Sequence, residues 1–168
     1  MAAKESFDIT TGCDLQEVDN AVNQANKELG QRYDFKGVEY KLEFQRGDEK
    51  LMIAAPDEFK LNAIWDVLHS KLLRREVPVK NMDRGDVQKA TGFSVRQDIP
   101  ITQSIPTDTA KKIVKFLKDQ KLKKIQSSIQ KDQVRVTSPS RDSLQEVMGI
   151  LRQEDFGIEL NFGNFRSN

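Results

Sequence analysis

Residues suited to redox, metal or nucleophilic chemistry are scarce in this chain of 168 residues, which has one cysteine and one histidine. A single thiol cannot form an internal disulfide, a pattern typical of proteins in a reducing compartment. One cysteine and one histidine also cannot supply the ligands of a Cys/His zinc site. We therefore expect neither a metal nor a disulfide.

Long apolar runs and standard phosphate-binding loops are missing as well. No apolar stretch approaches the ~20 residues of a membrane span, and the N-terminus lacks the basic start and apolar centre of a secretory signal. The nine glycines are scattered and form neither Gly-x-x-x-x-Gly-Lys nor Gly-x-Gly-x-x-Gly. These absences favour a cytoplasmic protein without a membrane segment and argue against a standard nucleotide hydrolase.

The two residues with catalytic potential have positions that favour structural roles. His69 lies beside the apolar stripe of a predicted helix, and Cys13 stands just before another helix. A packed histidine and an inert thiol are the simpler interpretations, so we predict no catalytic residue and no enzyme. Acidic residues are abundant, and an enzyme that uses a carboxylate pair remains an alternative.

Apolar periodicity in the first half predicts the order β-α-β-β-α-β. The expected elements are a strand at 5–10, a helix capped by Asp14, a hairpin around 46–48, a helix after Pro56, and a short strand at 76–82.

The same order is predicted again from residue 93 to the end. Pro100 suggests that the first strand of this half is an edge strand or is bulged. The fold class is therefore α+β, with two tandem ferredoxin-like (RNP-like) α/β sandwiches. Each would have a four-stranded antiparallel sheet with two helices on one face. The expected domains are 1–84 and 93–168, joined by a linker at 85–92, and an exchange of strands between them stays open.

Basic charge is concentrated in the second half. Residues 1–94 carry 14 Lys+Arg and 17 Asp+Glu, whereas residues 95–168 carry 13 and 9. Lys111, Lys115 and Lys118 share one face of a predicted helix, opposite its apolar stripe. Such a face suits phosphate or nucleic acid, and the alternative is a solvated face that only aids solubility.

A second candidate site is the segment Arg32-Tyr33-Asp34-Phe35-Lys36-Gly37 between the first helix and the second strand. Arg32 and Lys36 could hold phosphate, and Tyr33 and Phe35 could stack on a base. Gly37 would allow close approach of a backbone. The alternative is that both aromatic rings plug the core at the helix end.

The predicted open sheet faces carry mainly polar residues, with Arg96 among them, and no stacking aromatic. RNA-recognition domains of this topology stack bases on aromatic residues of that face. The standard RNA-recognition mode is therefore not expected here.

Several segments in consistent order resemble the YajQ family of small bacterial proteins along essentially the whole chain. The matching segments are residues 6–9 (SFDI), 14–26 (DLQEVDNAVNQAN), 32–37 (RYDFKG), 57–60 (DEFK), 95–97 (VRQ), 111–115 (KKIVK), 127–136 (SSIQKDQVRV), 141–142 (RD) and 164–166 (NFR).

This resemblance implies two similar domains like those of RNA-binding proteins, and a nucleotide-binding function without a cofactor. It also implies a role that some relatives have, as cyclic di-GMP effectors acting with transcription regulators. Our hypothesis is a regulatory protein that binds a nucleotide, a cyclic dinucleotide or RNA. Its phosphates would be held by Arg32, Lys36, Arg96 and the basic helix, in a cleft between the domains. The alternative is a protein–protein adaptor without a nucleotide ligand.

Overall fold

The computed structural model describes residues 4–91 and 94–167. These residues form two four-stranded antiparallel sheets and four α-helices, which confirms the predicted α+β class with two ferredoxin-like sandwiches. The strands are β1 (Glu5–Thr10), β2 (Lys41–Gln45), β3 (Lys50–Ala55), β4 (Gln88–Lys89), β5 (Val95–Pro100), β6 (Gln126–Gln130), β7 (Gln133–Ser138) and β8 (Asn161–Ser167). The helices are α1 (Leu15–Gln31), α2 (Glu58–Arg74), α3 (Thr107–Asp119) and α4 (Arg141–Gln153).

Polar side chains cap the starts of α1, α2 and α4, whereas α3 begins after Pro106 without a side-chain cap. The Asp14 carboxylate accepts hydrogen bonds from the backbone N–H groups of Gln16 and Glu17, at 3.0 and 3.4 Å. The Glu17 carboxylate accepts hydrogen bonds from Asn20 Nδ2 and Arg75 Nη1, each at 3.1 Å. No helix in the described part of the chain has the length and apolar character needed to cross a membrane.

The first unit contains Met1–Gly12 and Gln103–Asn168, and its sheet has the order β6-β7-β1-β8. β1 therefore lies inside this sheet and pairs with β7 on one side and β8 on the other. Phe7 and Ile9 of β1 are fully buried, together with Val134 and Val136 of β7 and the apolar stripes of α3 and α4. Both helices thus cover one face of the sheet.

A buried carboxylate lies on the other face of this sheet. Asp8 accepts hydrogen bonds from Arg135 Nε at 2.9 Å and from Asn164 Nδ2 at 2.5 Å. Burial raises the pKa of Asp8, but these hydrogen bonds and the positive charge of Arg135 outweigh it, so that the net pKa is lowered. The contact with Asn164 ties β1 to β8 close to the register shift between the two strands.

The second unit is Cys13–Thr102, with the strand order β2-β3-β5-β4. Leu51, Ile53 and Ile99 face α1 and α2 and are fully buried. The order of elements is that of a ferredoxin-like sandwich whose first strand, β5, comes last in the chain. β5 is an inner strand rather than the expected edge, and Pro100 is tolerated as its last residue, beyond the reach of β4.

The consecutive domain boundaries expected at 1–84, 85–92 and 93–168 differ from this division. The second unit is inserted into the first between β1 and α3. Each half of the chain supplies one strand to the other sheet, because β1 pairs with β7 and β8, and β5 pairs with β3 and β4. The expected linker end at Gly92 and strand start at Phe93 lie outside the described residues.

The predicted strand at 76–82 is wrong, since a 3-10 turn occupies Val79–Asn81. The buried Asn81 holds this segment in place, with its Nδ2 bonded to the carbonyl of Thr102 at 2.9 Å. The fourth strand, β4, falls inside the segment expected to be a linker. That segment is fixed within its unit by Gln97, which donates to the carbonyl of Gly85 at 2.6 Å and accepts from Arg84 at 3.2 Å.

The first prediction concerns folding of the inserted unit alone. The fragment 13–102 contains every strand of its sheet and both helices, so it should unfold cooperatively with heat and show native-like circular dichroism. The fragment 1–84 lacks β4 and β5 and leaves β1 without partners, so it should be largely unfolded. Cooperative unfolding of 1–84 together with a disordered 13–102 would contradict the division.

The second prediction concerns Cys13, which is buried at the start of the inserted unit with its Sγ 3.7 Å from the carbonyl of Pro78. Burial raises the pKa of this thiol to about 11. Because only the thiolate reacts, and a free cysteine has a pKa of about 8.5, alkylation by iodoacetamide at pH 8 should be slower by about 100-fold in the native protein. The reference is the same chain unfolded in urea, and equal rates would show an accessible thiol.

Candidate functional site

A groove of about 560 Å³ lies on the sheet of the inserted unit. Its floor contains Met52 and Ala54 of β3, which point away from the helices because Leu51 and Ile53 point toward them. The other lining residues come from β2, from the end of β3, from β5, and from the segments that precede β2 and β5: Val38, Glu39, Tyr40, Lys41, Ala55, Ala90, Thr91, Ser94 and Arg96.

Two cations stand on either side of a small residue in this groove. Lys41 pairs with Ala54, and Ala54 pairs with Arg96, so the three residues form one row across β2, β3 and β5. Neighbouring strands are about 4.8 Å apart, which places the backbones of Lys41 and Arg96 about 10 Å from each other. Since Ala54 has only a methyl group, the space between the two cations is open.

Arg96 is partly engaged by a carboxylate in the next row. Its Nε and Nη2 groups lie 3.3 and 3.1 Å from a single oxygen of Asp98. Arginine has five N–H donors, so most of the guanidinium group stays available. Both side chains are more than a third exposed, at 41% and 37%, so this ion pair contributes little to stability and can yield to a phosphate.

The segment 32–37 contains a 3-10 turn at Tyr33–Phe35, and its residues have different surroundings. Phe35 is buried, which agrees for this residue with the alternative that the aromatic rings of the segment fill the core at the helix end. Its ring meets that of Tyr40 edge-on at 5.4 Å. Arg32 forms a two-pronged ion pair with Asp34, with both N···O distances at 2.9 Å. This pairing raises the pKa of Arg32 and lowers the pKa of Asp34.

Two aromatic rings project from this region into solvent. Tyr33 is 93% exposed, and Phe59 in the first turn of α2 is 78% exposed. They flank the contact in which Lys60 Nζ donates to the carbonyl of Asp34 and lies 4.8 Å from the centre of the Phe35 ring. The turn is therefore held in place while Tyr33 stays available for stacking.

Gly37 has a backbone role that differs from the close approach expected. Its φ is +74°, and no atom lies within 4 Å of the position where a Cβ would stand. The left-handed conformation explains the glycine, because a residue with a Cβ atom adopts that conformation only at a steric cost in free energy.

The basic helix α3 belongs to the other unit. Its buried residues are Ala110, Ile113 and Leu117, and Lys111, Lys115 and Lys118 are exposed on the opposite side. None of these three lysines forms an ion pair with another described residue. Their ammonium groups therefore face solvent.

His69 packs against another aromatic side chain, which agrees with the structural role predicted for it. Its ring stacks on Trp65, with 5.7 Å between the ring centres, and the guanidinium of Arg84 lies 5.0 Å from the centre of the Trp65 ring. Within residues 4–91 and 94–167, no three His, Cys, Asp or Glu side chains are grouped to hold a metal ion.

The candidate residues thus belong to different elements, and these elements are divided between the two units. Arg96 lines the sheet groove, residues 32–36 form the turn of the same unit, and the three lysines lie on α3 of the other unit. Sequence reasoning missed the groove itself, with Tyr40, Lys41 and Ala54. The signal for the groove in the sequence was Ala54, a small residue within a predicted strand. Its cross-strand partners, Lys41 and Arg96, depend on the pairing of β3 with β2 and β5.

Comparison with known proteins matches residues 5–166 to a family model described as nucleotide-binding protein YajQ-like. A nucleotide-binding protein of Desulfitobacterium hafniense is 49% identical over 166 residues, covering 99% of this chain and 100% of that protein. Proteins with the same description from Bacillus cereus and Koribacter versatilis are 47% and 45% identical, with 99% of this chain covered in each case. This chain therefore belongs to the YajQ-like family.

Proposed function

We propose that this chain binds a nucleotide in the sheet groove of the inserted unit, as a binding protein rather than an enzyme. The main observation behind this proposal is the row in which Lys41 and Arg96 flank the small Ala54. Two cations with open space between them suit phosphate groups on either side of a ligand. The volume of about 560 Å³ falls within the range of about 300–1,000 Å³ that is usual for small-molecule sites.

The lining of the groove supports a nucleotide over a simple anion. Met52 and Ala54 offer an apolar floor. A base gains from such contacts, whereas inorganic phosphate does not. The hydroxyl groups of Thr91 and Ser94 can bond to ribose or phosphate oxygens.

The paired cations favour a ligand with two phosphate groups. We therefore propose a cyclic dinucleotide such as cyclic di-GMP as the preferred ligand, and a regulatory role for its binding. In this proposal two residues of the exposed turn also contact the ligand: Tyr33 stacks on a base, and Lys36 binds a phosphate group. Arg32 and Phe35 hold the turn through Asp34 and the core. Names given to the relatives support nucleotide binding as the shared function.

A second candidate, RNA binding on α3, is favoured by the exposed positive charge of Lys111, Lys115 and Lys118. The unit that carries α3 has 13 Lys+Arg against 10 Asp+Glu, whereas the inserted unit has 14 against 16. An exposed row of lysines on a positively charged unit can follow a phosphate backbone without reading its sequence.

The third prediction tests the groove by isothermal titration of the intact chain with cyclic di-GMP, GMP and GTP. Arg96→Gln and Lys41→Gln should each weaken cyclic di-GMP binding about tenfold or more, because a hydrogen bond to a charged group is worth about 1.5–3 kcal/mol. Ala54→Leu should abolish binding by filling the space between them.

The matched control for this test is Lys89→Gln. Lys89 pairs with Val95, so it lies on the opposite face of the same sheet, and its removal should leave affinity unchanged. Binding that survives Ala54→Leu, or the absence of binding by all three nucleotides, would exclude the groove as the site.

The fourth prediction concerns α3 and single-stranded RNA. The log–log dependence of affinity on salt has a slope of about −0.7 per phosphate neutralised on a single strand. Changing Lys111, Lys115 and Lys118 to Gln should flatten this slope by roughly two units and weaken different RNA sequences equally.

A matched triple variant, with Lys27, Arg74 and Lys89 changed to Gln, removes the same charge from the inserted unit and should keep the slope. Thermal unfolding should hardly change in either variant, because exposed charges contribute little to stability. An unchanged slope after removal of the α3 lysines would show that this face of α3 is a solvated helix face that does not bind RNA.

A further inference from the structure

β6 is an edge strand with none of the usual protection. It pairs with β7 in an unbroken one-to-one register from Gln126 to Gln130. Among the described residues, no backbone group of β6 bonds to anything outside this pair. All five side chains of β6 are uncharged, and none is proline. A strand of this kind presents a row of free N–H and C=O groups to solvent.

The other three sheet edges all carry protection. β8 has a register shift against β1 and a charged Arg166, β2 carries Lys41 and Glu43, and β4 is only two residues long. Bulges, charged side chains and short length are the devices by which natural sheets prevent unwanted pairing. Their absence from β6 alone indicates that this edge is kept free for pairing.

A groove of about 590 Å³ runs along the same edge. Its lining combines apolar side chains from α3 and the segment that follows it, Val114, Leu117, Leu122 and Ile125, with Lys118 and polar residues of β6 and β7. A strand added to β6 would direct alternate side chains toward this groove, about 6.6 Å apart. The groove therefore offers apolar contacts to every second residue of an added strand.

The charge around this edge selects the kind of partner. Lys121, Lys123 and Lys124 are exposed in the segment leading into β6, and a smaller cavity beside the strand is lined by Lys4 and Lys124. An acidic segment would be attracted to this end of the strand. A second copy of the chain would bring the same lysines and the same free edge, so it is the less favoured occupant.

We propose that β6 is a docking edge for an extended segment of a partner protein, in which apolar residues alternate with acidic ones. The segment adds as a fifth strand, with main-chain hydrogen bonds to β6 and apolar side chains in the groove under α3. This site lies on a different unit from the nucleotide groove and does not depend on nucleotide binding.

The test uses the full chain and a short synthetic peptide in which valine alternates with glutamate. Residue-resolved amide hydrogen exchange by NMR should show slower exchange at the free amides of residues 126–130. With the peptide at about ten times its Kd, slowing by about tenfold is expected. The counterpart peptide with lysine in place of glutamate should give no slowing.

Ser128→Lys puts a charge on the edge and should remove the protection by the glutamate peptide, with Gln130→Lys as a second variant of the same kind. The matched control is Asn161→Lys on β8, the opposite edge of the same sheet, which should keep the protection. Absence of slowing at 126–130, equal binding of the lysine peptide, or equal loss in the control would overturn the proposal. Slowing that rises with protein concentration without peptide would overturn it in favour of a second copy.

Discussion

The pairing of β1 with β7 and β8 is the constraint on which the rest of this structure depends. A ferredoxin-like sheet needs its first strand in an inner position, where it bonds to a neighbour on both sides. Once β1 fills that place in one unit, the residues from Cys13 to Thr102 must complete a sheet by themselves. They do so with β5, which arrives last in the chain and inserts between β3 and β4.

This exchange also creates the proposed nucleotide groove. Arg96 is on β5, and it comes opposite Ala54 and in line with Lys41 only because β5 joins the sheet of the inserted unit. The corresponding inner position of the other sheet holds Asp8, which is buried and bonded to Arg135 and Asn164. One open face therefore offers space and free donors, and the other has a satisfied polar network.

The parts of the candidate site that sequence reasoning reached are those carried by local patterns. The lysines of α3 follow from helical spacing, and Arg96 follows from strand alternation. The residue types of Arg32 and Phe35 alone suggested phosphate binding and stacking. The pairing of Arg32 with Asp34 and the burial of Phe35 could not be predicted in this way, because they depend on how the turn packs. Ala54 escaped notice because its importance comes from Lys41 and Arg96 on the neighbouring strands.

The sequence by itself determined the kinds of most elements and the α+β class. Apolar periodicity and capping residues such as Asp14 act within a few residues of each other. Only the tertiary structure decided that β1 and β5 change places, and that the expected linker contains β4. β1 and β5 both alternate apolar and polar residues, so the pattern of each fits either sheet. The choice rests on long-range backbone pairing and on buried polar contacts such as that of Gln97 with Gly85, which no local pattern reveals.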